Sequence, residues 1–214
     1  MARRSAGEVA AWQRERILAA IPPTLVEQGG YGRVAVRHVI ERAGVSRRTF
    51  YDLFDGWEGA FRAAYDEEFE RVYESMADAA ATCQSWPAKV FAALRTALEA
   101  AAHDPLAARM ILAEPLCSEP AIASHHQHSL DRFAPLLREG RSCPSSNLSP
   151  PAVLEQVLIG AVAGTVATRL HRGATAALPE LAPGLTEFLL IPYLGSTGAK
   201  LGEPSSSQAS SSPK

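Results

Sequence analysis

Apolar positions recur along almost the whole chain at intervals of three and four, and no stretch sustains the two-residue alternation of a half-buried strand. Trp12, Ile17, Ile21 and Leu25 form one stripe and predict a first helix over about Glu8–Gln28. Pro22-Pro23 removes backbone donors inside it and is expected to kink or split it; Gly29-Gly30 ends it. Phe61, Tyr65, Phe69, Val72 and Met76 make a second stripe on a long helix, whose start is expected at Asp55, with Glu58 reaching back as in a capping box. Asp66, Glu67, Glu70, Glu74 and Asp78 fall largely off that stripe and read as a solvated face. Trp86-Pro87, Asp104-Pro105 and Glu119-Pro120 place proline at first helical positions and predict helices to about His103, Ala113 and Glu139. A loop over Arg141–Pro151 and helices near Ala152–Arg172 and Pro183–Leu194 follow. The fold class is all-α.

Between the first and long helices, Val36–Phe54 holds two short amphipathic patterns hinged at Ala43-Gly44-Val45-Ser46. Val36, Val39, Ile40 and Ala43 supply a packing face. Gly44 permits a left-handed turn, Val45 plugs the angle between the helices, and Ser46 caps the second. Phe50 and Phe54 point inward, leaving Arg47, Arg48, Thr49, Tyr51 and Asp52 outside. A braced helix that begins with two arginines is suited to the major groove of DNA. Arginine can fork onto guanine or hold a phosphate, and Thr49 and Tyr51 can donate to phosphate. Arg37 opens the supporting helix, and Arg3 and Arg4 lie on an N-terminal arm.

Charge sharpens this division. Formal net charge is -2, yet residues 1–57 carry nine arginines against six acids, leaving twelve basic and seventeen acidic residues for the remainder. A basic head on an acidic body presents one end to phosphates. Three scattered cysteines (83, 117 and 143) without a CxxC pair point to a reducing, cytoplasmic setting rather than a disulfide or zinc framework. No apolar run suits a leader or a membrane span; the longest, Val157–Ala167, falls well short of the roughly 20 residues a span needs.

The combination Gly30-Tyr31, Val36-Arg37, Glu41-Arg42-Ala43-Gly44-Val45-Ser46, Thr49-Phe50-Tyr51 and Phe54, with Ile17-Leu18 ahead of it, resembles the N-terminal domain of the TetR family of bacterial transcription regulators. The resemblance implies a three-helix DNA-binding domain and a helical body that dimerises and binds a small molecule. It also implies repression of a promoter, relieved by that molecule, with Arg37, Arg47, Arg48, Thr49 and Tyr51 at positions that commonly touch DNA. Pro22-Pro23 is unusual for the family's first helix, and two further departures lie at the motif itself. Val34-Ala35 replaces the Ser or Thr that usually caps the first motif helix, a loss of about 1 kcal/mol. Trp57 replaces a basic residue that usually holds a phosphate.

The organisation expected is a helix–turn–helix domain over 1–57, a helical effector-binding and dimerisation domain over 58–194, and a disordered tail over 195–214. Leu154–Val166 is apolar nearly all round except Glu155 and Gln156. Such a helix needs a core on one side and a partner on the other. Leu154, Leu158, Gly160, Gly164 and Phe188 are therefore expected at a two-fold interface, with Leu185, Leu189 and Tyr193 beside them. A pocket between the long helix and its successors would draw on Phe69, Tyr73, Phe91, Met110, Leu112 and Phe133. His125, His126 and His128 lack a third ligand at fixed spacing and read as a polar helix surface. No glycine-rich phosphate loop, GxSxG or HExxH marks an enzyme, and no cofactor is expected. The reading is a homodimeric regulator, a repressor released from a palindromic operator by a small-molecule effector. The rival is a helical small-molecule-binding or scaffold protein of the same fold without specific DNA binding.

Overall fold

The stripes at three- and four-residue spacing all become helices in the computed structural model, which describes residues 5–142 and 151–199; every regular element among these is helical. Arg3 and Arg4, Cys143 with most of the expected loop, and residues 200–214 of the expected tail lie outside the described residues.

α1 (Ala6–Gln28) starts earlier than its apolar stripe because Ser5 and Glu8 form a capping box, each side chain taking the other's backbone N–H. Hydrogen bonding from Ser5, chiefly from its backbone N–H, holds the Glu8 carboxyl below its usual range. Pro22-Pro23 does not split the helix. Ile17, Ile21 and Leu25 are fully buried on either side of the pair, and burial at about 1.5–3 kcal/mol each offsets the lost donors. Trp12 leaves the stripe: it is 41% exposed, with the Arg16 guanidinium 4.5 Å over its ring.

A tight turn (Tyr31–Arg33) leads to α2 (Val36–Ala43) and α3 (Arg47–Leu53), both packed on α1. α4 (Trp57–Ala81) is capped by the Gly56 backbone without a side-chain bond. The expected Asp55 cap fails because the helix begins at Trp57, which puts Asp55 one place too early. α5 (Trp86–His103) and α6 (Pro105–Leu112) begin as their prolines predict, under Ser85 and Asp104 caps. The helix expected to reach Glu139 breaks into α7 (Pro120–Asp131) and α8 (Ala134–Arg138). Pro135 has no N–H for the Asp131 carbonyl, which a continuous helix would require. α9 (Leu154–His171) and α10 (Ala182–Gly198) complete the body, and Gly195 breaks the helical path of α10 with φ 71°.

Two cores result. The first joins Ile17, Ile21, Leu25, Val39 and Phe50 of the three N-terminal helices to Phe61, Tyr65 and Phe69 of α4, Met110 and Ile111 of α6, and Ile122 of α7. The second gathers α5, α9 and α10 around Leu98, Leu158, Leu190 and Tyr193. Each encloses a polar group. Glu155, only 1% exposed, accepts two bonds from Arg141 (2.7 and 2.9 Å) and one from the Tyr193 hydroxyl (3.0 Å). The Arg141 guanidinium brings its carboxyl down to about 2 against the opposing effect of burial. His126 is buried between α4 and α7 with Nδ1 2.9 Å from the Tyr65 hydroxyl, and burial lowers its pKa to about 4.

Both groups have folded-state pKa values below their unfolded ones, so each stabilises the fold above its unfolded pKa and loses that contribution as pH falls. The His126 window runs from 6.5 down to about 4, and the Glu155 window from 4.5 down to about 2. Urea unfolding across this range should show His126→Gln flattening the upper window and Glu155→Gln the lower one. Identical slopes in wild type and variants would remove both assignments.

Candidate nucleic-acid interface and apolar cavity

Gly44 ends α2 at φ 63°, where a Cβ would also come within 2.6 Å of Arg16 Nη2. The chain turns there, and Ser46 Oγ accepts the Thr49 N–H at 3.0 Å to start α3. Phe50 and Phe54 are buried beneath α3. Arg47 and Arg48 are fully outside; Arg48 lies 3.8 Å from Asp52 across an exposed pair, and the Arg47 guanidinium rests 5.5 Å over the Tyr51 ring. An exposed pair of this kind holds its cation only weakly. Tyr51 is half exposed, and Thr49 is half buried with its hydroxyl 2.9 Å from Ser46 Oγ. Arg37 is exposed at the head of α2.

The two departures resolve differently. Ala35 offers no side-chain cap to α2, but His38 Nδ1 accepts the Ala35 N–H at 3.2 Å, giving the returning half of a capping box. Trp57 offers no phosphate donor in this conformation. Its ring packs on Tyr31 and Phe61, with centroids 5.5 and 5.7 Å away, and its Nε1 is buried without a hydrogen-bond partner.

In the body, a cavity of about 160 Å³ lies among α4, α5, α6, α8 and α9. Its wall includes Phe69, Val72 and Met76 of α4, Leu94 and Leu98 of α5, Ile111 and Leu112 of α6, and Ile159, Val162 and Val166 of α9. Small residues at Ala93, Ala97 and Ala101 leave the space open on the α5 side. Two charged residues stand in the wall, each with a partner: Arg71 binds Glu68, and Asp104 accepts the Ala107 N–H. A second cavity of about 260 Å³ shares Met76, Ala93, Phe133 and Leu136 with the first. Lys89, Arg132 and Glu139 rim it, with Lys89 3.1 Å from Glu139. Two bonds join Arg132 to Glu70, and its guanidinium lies 4.0 Å over Tyr73.

Of the residues expected in a pocket, Phe69, Leu112 and Phe133 stand in the first wall and Tyr73 in the second. Met110 and Phe91 stand in neither. Met110 is fully enclosed in the first core, and Phe91 packs against the second. The alanines of α5 are the residues that sequence reasoning missed; their repeat at intervals of four was the available signal. His125, His126 and His128 diverge to Asp66, Tyr65 and the Ser124 carbonyl respectively. Among the described residues no three metal ligands converge.

The outer face of α9 and α10 is apolar. Val157 is 58% exposed and Phe188 44%, with Val153 and Ile191 beside them in exposure. Gly160 and Gly164 have open space where a Cβ would project. Leu154 is half buried. Leu158, expected at an interface, instead lies in the second core. One residue is a turn of about 100° on a helix, so the neighbouring Val157 takes the outer position.

A cationic, exposed helix set on a glycine turn and packed on a helical body has the geometry of a helix–turn–helix DNA-binding domain. Residues 24–64 match the family described as bacterial regulatory proteins, tetR family. No curated protein matches the chain in sequence. Its fold is similar to that of the fatty acid degradation regulator FadR from Bacillus halodurans, with TM-score 0.74 and 17% identity over 88% of this chain and 97% of that one. FadR from Bacillus subtilis, solved in complex with stearoyl-CoA, gives TM-score 0.73 and 19% identity over 82% and 97%. A tetR-family regulatory protein from Rhodococcus RHA1 gives 0.66 and 16% over 85% and 96%. The N-terminal helices thus match a tetR-family domain over residues 24–64, and the chain as a whole is similar in fold to these regulators.

Arg47→Ala with Arg48→Ala should lower affinity for the cognate DNA at least about tenfold, since each good base contact is worth roughly 1–3 kcal/mol. Both side chains are exposed, so the melting temperature should not change. Unaltered affinity in a gel-shift titration would show that α3 is not the reading helix.

Proposed function

We propose that the protein is a homodimeric repressor that binds a palindromic operator and is released by an amphipathic effector with an apolar chain, of the acyl-CoA class. The observation that carries this reading is the first cavity. Its wall is apolar apart from two charged groups that already have partners, so it suits a hydrocarbon and offers little to a polar ligand. The adjoining cavity, rimmed by Lys89, Arg132 and Glu139, is chemically suited to the polar end of the same molecule. The similarity to a FadR solved with stearoyl-CoA points the same way.

Dimerisation is supported by the outer face of α9 and α10, where Val157, Gly160, Gly164, Phe188 and Ile191 would meet their copies about a two-fold axis. A two-fold pair of heads reads a palindrome with half-sites about one DNA turn apart. The rival reading, a binding protein that has lost specific DNA contacts, draws on the buried indole of Trp57. A gel shift with inverted repeats from the DNA upstream of the gene separates the two: sequence-independent or absent binding favours the rival.

Thermal melting with an acyl-CoA series, against CoA alone, tests the effector class. At a hundredfold excess over Kd the stabilisation is about 2.7 kcal/mol, equivalent to about 5–10 °C for a chain of this size. The acyl-CoAs should raise the midpoint and CoA alone should not; equal shifts would remove the apolar-chain reading. For the dimer, Val157→Glu with Phe188→Glu should yield a folded monomer by sedimentation with helical circular dichroism retained. A dimer that survives this pair would place the interface elsewhere.

A further inference from the structure

A buried hydrogen bond joins the reading head to the cavity wall. Glu114 lies in the short turn (Glu114–Cys117) that follows α6 and is 4% exposed. Its Oε2 accepts the backbone N–H of Tyr31 at 2.8 Å, and its Oε1 accepts Arg109 Nε at 3.0 Å. Tyr31 heads the tight turn between α1 and α2, where a first-turn N–H has no carbonyl partner within its own turn. The carboxylate supplies that partner. Gly30, at φ 113°, allows the approach: a Cβ there would come within 3.2 Å of Glu114 Oε2. Arg109, on α6 itself, fixes the other oxygen, so the carboxylate is oriented by the helix that precedes its turn.

α6 also belongs to both sides of the molecule. Ala108, Ile111 and Leu112 stand in the cavity wall, while Met110, at 0% exposure, and Ile111 are part of the core shared with the head. The ion pair that ties α1 to α4, Arg14–Glu67, is about half exposed and contributes little.

We infer that Glu114 is the positioning residue through which occupation of the cavity reaches the reading head. A ligand that displaces α6 carries Glu114 with it, and Glu114 draws on Tyr31 and hence on the start of α2. This rests on the reading of the cavity as the effector site. Coupling between two sites is the ratio of operator affinities with and without ligand, and a residue that only stabilises the fold leaves that ratio unchanged.

The test measures that ratio with dodecanoyl-CoA as probe in wild type, Glu114→Ala and Glu114→Gln. Wild type should lose about tenfold or more in operator affinity on adding the probe, within the usual coupling range. Glu114→Ala should reduce the ratio to less than about threefold, and Glu114→Gln, which keeps an acceptor for the Tyr31 N–H, should restore most of it. A Glu114→Ala ratio equal to wild type, with or without a lower melting temperature, overturns the inference. Hydrogen exchange decides the case without DNA or ligand. Ala97→Phe, which fills the cavity from α5, should speed exchange over residues 31–44 in the wild-type background and not in Glu114→Ala. If the probe leaves wild-type operator binding unchanged, the acyl-CoA reading fails on its own. The exchange comparison then decides the role of Glu114 by itself: no difference between the two backgrounds overturns it.

Discussion

One stripe along α4 is the constraint from which the architecture follows. Phe61, Tyr65 and Phe69 enter the core of the head, while Val72 and Met76, about one and two turns further, face the cavity of the body. A helix of 25 residues is about 37 Å long, so it spans both units, and its apolar face must be satisfied separately in each. α6 does the same over two turns. The head therefore shares its core with two of the helices that enclose the cavity, whereas the body has a second core of its own.

That arrangement gives the cavity its energetic meaning. The cavity of about 160 Å³ opens to the surface, and its apolar wall forgoes packing that a larger side chain or a bound apolar group would supply. The alanines at 93, 97 and 101 keep it open where larger side chains would close it. In an apolar cavity whose two charged residues already have partners, a hydrocarbon would gain packing without breaking an existing hydrogen bond.

Much of this was legible in the residues, and the misses share a cause. Gly44, Ser46 and the inward pair Phe50 and Phe54 are local signals, set by backbone strain, capping and period, and they fall where the pattern puts them. The supporting bond of His38 to Ala35 was not legible, because nothing in the spacing distinguishes an imidazole acceptor from a solvated side chain. Trp12 and Leu158 were misassigned between inside and outside because an apolar residue on a helix carries no label for which surface buries it. Glu155 looked like an interruption of an apolar helix; Arg141, fourteen positions earlier, is what allows it to be buried. The pocket was only partly legible for the same reason. Phe69, Leu112 and Phe133 are large enough to attract attention, whereas a cavity is made by what is small.

Shared helices also settle what kind of ligand effect this fold can support. A molecule that merely fills the void stabilises every state that contains the void and shifts no equilibrium between them. Release from DNA needs a ligand that favours one placement of the head over another. Such a preference arises when a cavity wall is itself part of the head's support. α6 meets that condition on both counts, through Met110 and Ile111 in the common core and through Glu114 on the Tyr31 N–H. On the reading of the cavity as an effector site, displacement of α6 would act directly on the head's support. The direction in which the wall yields, more than the affinity of what fills it, decides whether a bound molecule acts as a signal.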